Sequence, residues 1–84
     1  MKMDKEILVE MLEDRINSVK NQIQTAEETK QKLEMLKIHV TDPQTLSVLD
    51  AKIIIINGRI DKLNERLFRL ESALEEILLV ELID

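Results

Sequence analysis

Eighty-four residues make one small domain, and a chain of this length buries only about 60% of the surface it exposes when unfolded, which leaves stability marginal without help. With no cysteine and one histidine, the composition excludes a disulfide framework, a thiolate metal site and an imidazole cluster. The formal charge of −5 comes from 17 acidic and 12 basic residues mixed along most of the chain. That pattern argues against duplex nucleic acid as partner, because counterion release from phosphates needs clustered Lys and Arg.

The apolar fraction of 44% comes almost wholly from Ile, Leu, Val and Met, with Phe68 the one aromatic and Gly58 the one glycine. Such a composition builds helices packed on helices. At the N-terminus, Met1 to Glu6 is charged, and the short apolar stretch Ile7 to Met11 is already interrupted by Glu10. It does not have the form of a signal peptide. The longest uninterrupted apolar runs, Ile53 to Ile56 and Ile77 to Val80, are four residues each, too short for a bilayer. A cytoplasmic protein with no membrane partner is expected.

The first predicted helix runs from about Asp4 to about Ile38. Its apolar seam is Val9, Leu12, Ile16, Val19, Ile23, Ala26, Lys30 and Leu33, alternating steps of three and four as in a coiled coil. Ile7, Leu8 and Met11 widen the stripe at one end, and Met35, Leu36 and Ile38 widen it at the other. Both ends are therefore expected to bury more than the centre.

Between His39 and Pro43 the chain tells one helix to stop and another to start. Asp42-Pro43 reads as an N-cap with proline at the first helical position. Thr41 with Gln44 offers a capping box one residue earlier. His39 falls at the negative end of the first helix and lacks the neighbours that a metal or catalytic role requires.

The second predicted helix runs from about Pro43 to about Leu82. Its seam is Leu46, Leu49, Ile53, Ile56, Ile60, Leu63, Leu67, Leu70, Leu74 and Ile77, without one polar residue. Lys52, Arg59 and Arg66 flank it on one side; Asp50, Asn57, Asn64 and Glu71 flank it on the other, a division that suits oriented pairing with another helix. Asn57-Gly58 is a turn signal in other settings. The seam keeps its phase across the pair, which predicts a continuous helix with Gly58 on its outer face. The fold expected is all-α, a long antiparallel two-helix hairpin of coiled-coil type.

Two helices do not cover this much apolar surface. Four consecutive isoleucines surround the helix at Ile53, Ile54, Ile55 and Ile56, while the part of the first helix facing them is polar. Ile60, Phe68, Leu78, Leu79 and Leu82 add apolar surface, and together these nine residues form the expected oligomer interface. A homo-oligomeric helical bundle is predicted, with a dimer of hairpins forming four helices as the favoured form and a trimer or larger ring as the alternative.

Nothing in the chain has the form of a catalytic or cofactor site. The neighbouring acids Glu13 and Asp14, Glu27 and Glu28, and Glu75 and Glu76 point to different azimuths of their helices. There is no Glu-x-x-His pair, phosphate loop, nucleophile triad or nucleotide fingerprint. No enzyme, metal or cofactor is expected. The pattern resembles small bacterial or phage helical-hairpin proteins as a broad class, without a shared motif. The function expected is contact with another protein, as a regulator, inhibitor, adaptor or chaperone. A second reading is an oligomer that sequesters an anionic metabolite or nucleotide between subunits with Lys30, Lys52, Arg59 and Arg66. A third is a structural scaffold or assembly subunit.

Overall fold

A computed structural model describes residues 4–83, with side chains through residue 80. Helix α1 spans Lys5–His39 and helix α2 spans Pro43–Ile83; they are antiparallel and joined by Val40, Thr41 and Asp42. Among the described residues there is no strand.

Local chemistry sets both helix starts. Asp4 is extended, and its Oδ1 accepts the Glu6 N–H at 3.1 Å, capping α1. α1 stops where Val40 turns extended, with φ −108° and ψ 130°. Proline at position 43 disfavours helical geometry in the residue before it, so the break falls where Asp42 can serve as cap. The Asp42 Oδ2 accepts the Thr45 hydroxyl at 2.7 Å and the Thr45 N–H at 3.2 Å. Its carbonyl accepts the Leu46 N–H at 3.0 Å, closing the first turn of α2. Of the two registers that the sequence offers, the Asp42-Pro43 cap is the one used, and Thr41 lies outside the helix. The Thr45 hydroxyl, and after it the Thr45 N–H, hold the Asp42 carboxyl below the usual carboxylate range.

Every expected seam position of α1 and of α2 is buried or half-buried. Ile16, Val19, Ala26, Leu49 and Leu63 are the most enclosed. α2 runs unbroken through Asn57-Gly58, and Gly58 keeps negative φ. A helix whose buried stripe stays in phase gains more from packing than it loses at one glycine, which costs about 1 kcal/mol relative to alanine.

The burial along α1 corrects the expectation from its apolar stripe. Its buried residues are Ile16, Val19 and Ala26, in the centre, whereas Ile7, Met11, Met35, Leu36 and Ile38 are exposed. A single partner helix covers only the narrow seam, and the apolar residues that widen the stripe at both ends lie off it.

The hairpin measures 63 × 20 × 15 Å. A helix of α2's length is roughly 62 Å long at about 1.5 Å per residue, so α2 runs the whole length of the molecule. A 15 Å thickness is little more than one helix with its side chains. The protein is therefore a single-layered plate, and none of its described side chains is completely buried.

Candidate interaction surfaces

The nine residues expected at an oligomer interface fall into two groups. Ile53, Ile56 and Ile60 are half-buried in the hairpin's own seam. Ile54 and Ile55 are 70% and 71% exposed, Phe68 is 71% exposed, and Leu78 and Leu79 are also open to solvent. The side chain of Leu82 lies outside the described residues. Exposed apolar residues outside that expected interface are Val48 and Val80 on α2 and Ile7, Met11, Met35, Leu36 and Ile38 on α1.

On the back of α2, away from α1, steps of three and four join Val48, Ala51, Ile55 and Gly58, with Ile54 beside them. The residues of this stripe carry no charge. A Cβ added at Gly58 would meet nothing within 4 Å. The seam repeats for the full helix, whereas this second stripe is free of charge only from position 47 to 58. The signal was the lack of outer-face charge over those turns.

The charges are sorted by side. The seam keeps its three-four alternation throughout, so each other residue has a fixed place around its helix, and matching flanks of two antiparallel helices share one broad side of the plate. One side carries Lys52, Arg59, Lys62 and Arg66 from α2 with Arg15 and Lys32 from α1; Glu76 lies among them, Asp14 borders Arg59, and Arg69 turns to Glu65 at the outer edge. The opposite side carries Glu6, Glu10, Glu13, Glu27 and Glu34 from α1 with Asp50, Asp61, Glu71 and Glu75 from α2. Lys20 is the base on that side, and Lys30 and Lys37 reach it from the seam.

The grooves between the helices show the same division. Glu13, Lys20, Glu71 and Glu75 line one with Ile16 and Leu74, and Glu27, Lys30, Glu34 and Asp61 line another on the same side. Across the plate, Arg59, Lys62 and Arg66 line a groove with Gln22, Ile54, Ile55 and Gly58. Arg59 also borders Ser18, Asn21 and Thr25 of α1, with Asp14 the acid of that groove. The mixing of signs along the sequence thus gives way in three dimensions to a basic side with clustered cations.

The four cations considered for an anion site are not brought together within one chain. Arg59 and Arg66 share a groove, and Lys52 lies on the same flank of α2, but Lys30 emerges among carboxylates on the other side. Within the chain the charged flanks find few partners. The ion pairs among the described residues are Lys37 to Asp50 at 2.5 Å, which bridges the helices near the turn, and Arg69 to Glu65 at 3.7 Å within α2.

Among the described residues no group of three or more His, Asp or Glu side chains is placed to hold a metal ion, and no helix is long and apolar enough to cross a membrane. No family model, curated protein or solved structure matches the chain.

Proposed function

We propose that the protein is a non-enzymatic, homo-oligomeric helical hairpin that works through contact between proteins, as a small regulator, inhibitor, adaptor or chaperone. The observation that carries this reading is apolar surface without an interior. Ile54, Ile55 and Phe68 are each at least 70% exposed on a plate in which no described side chain is completely buried. A domain this thin gains little from its own core, and burial of such side chains against further helices is worth about 1.5–3 kcal/mol apiece. Copies of the same chain are the simplest source of those helices.

The test is the double substitution Ile54→Glu with Ile55→Glu, followed by sedimentation velocity and circular dichroism. The expected result is a smaller particle with helicity retained, since both positions point away from α1. An unchanged assembly would remove the isoleucine patch from the interface.

A second reading, retention of a small anionic ligand, draws on the groove of Arg59, Lys62 and Arg66. Among the described residues none of the three pairs with a carboxylate, and arginine is suited to a bidentate grip on phosphate. Arg59→Gln with Arg66→Gln should then abolish retention of inorganic phosphate in equilibrium dialysis.

A further inference from the structure

We propose that copies of this chain meet through unlike sides, the basic side of one hairpin docking on the acidic side of the next. The inference rests on self-assembly and specifies how it is done. Three observations point to a second copy as the occupant.

First, the flanks that meet along each side of the plate carry mostly like charge, with Lys20, Lys30 and the Lys37–Asp50 pair as the exceptions on the acidic side. Lys52, Arg59 and Arg66 on the flank of α2 have Arg15, Gln22 and Thr29 as the corresponding flank of α1. The acidic or amide flank Asp50, Asn57, Asn64 and Glu71 has Glu13, Lys20, Glu27 and Glu34. In a self-sufficient antiparallel pair these flanking positions supply interhelical ion pairs. Here, apart from Asp14 beside Arg59 and Glu65 beside Arg69, the acids that would satisfy the basic flank are on the far side of the same molecule, where another copy can present them.

Second, exposed apolar residues accompany both charged sides. Leu36, Val48 and Ile55 lie on the basic one, with Ile54 at its edge; Ile38, Phe68 and Leu78 lie on the acidic one. An unlike contact buries apolar surface from each partner while placing opposite charges around it, the arrangement of an apolar centre with a polar rim.

Third, like-to-like contact is penalised. Basic against basic would force Arg59, Lys62 and Arg66 of two copies together, and acidic against acidic would do the same with Glu13, Glu71 and Glu75. Juxtaposed like charges cost several kcal/mol across an interface. Because the complementary sides face away from each other, the contact is heterologous. It closes as a ring or continues as a stack, and a dimer is its smallest species rather than its closed form.

Charge reversal tests this directly. One variant carries Arg59→Glu and Arg66→Glu, which removes most of the positive charge of the basic side; the other carries Glu13→Lys and Glu71→Lys, weakening the acidity of the other side. All four positions are exposed on helix surfaces, so circular dichroism should show the helical content of the parent. In sedimentation velocity at about 50 mM salt, each variant alone is expected to associate at least tenfold more weakly than the parent. An equimolar mixture is expected to recover association, with both variants in the particle. Raising salt to about 500 mM, where the Debye length falls to a few ångströms, should weaken assembly of the parent. Association of either variant alone at parental strength, or a mixture no better than its components, overturns the unlike-side contact while leaving self-assembly in place. A parent that stays monomeric at all concentrations overturns both.

Discussion

Asp42 does more at the turn than any other single side chain. It accepts two hydrogen bonds from Thr45, and these favour its ionised form. A carboxyl with a folded pKa below its unfolded value adds stability that is fully present above about pH 4 and is lost as pH falls through the lower folded value. Asparagine caps a helix as well as aspartate and does not titrate. Asp42→Asn should therefore keep the neutral-pH Tm close to that of the parent and reduce the loss of Tm on acidification, as followed by circular dichroism. Gly58 gives a second residue-level test. With open space around its would-be Cβ, Gly58→Ala should add about 1 kcal/mol to the hairpin in urea unfolding. Lys30, half-buried at a seam position, is a polar interruption that costs stability, and Lys30→Leu should raise the urea midpoint by an amount equivalent to about 1 kcal/mol.

At the scale of the elements, the seam of α2 was fully legible, because ten apolar positions in unbroken alternation have one way to face a partner. The α1 seam was legible too, Lys30 included. What misled was the breadth of the apolar stripe at both ends of α1. Breadth shows how much surface a helix needs to cover, but burial depends on how many neighbours it has, and here it has one. The prediction that follows separates the two kinds of apolar position. Leu63→Ala, at 6% exposure, should cost about 2–3 kcal/mol wherever the hairpin is folded. Ile55→Ala, at 71% exposure, should cost less than about 0.5 kcal/mol under conditions where the hairpin stands alone and more where it is assembled. Urea titrations at high and low protein concentration check both.

For the whole molecule, the turn, the two helices and the exposure of Ile54 and Ile55 could be read from the chain, whereas the segregation of charge could not. Reading it requires knowing which flank of α1 shares a side with which flank of α2, and that depends on the antiparallel pairing and its register. Lys52, Arg59 and Arg66 were visible as one flank of α2. That Arg15 and Lys32 join them, while Lys30 surfaces among Glu27, Glu34 and Asp61, follows only from the folded plate. The same knowledge changes what the surplus apolar residues imply: they lie on two sides of opposite charge, so their cover must differ from one side to the other.

The central claim, that this hairpin is completed by copies of itself, is tested most directly by native mass spectrometry on gently purified protein across a range of concentrations. The account predicts multiples of the chain mass that grow with concentration and carry no stoichiometric extra mass. A single-chain mass at every concentration would contradict it and would assign the exposed isoleucines to a different protein.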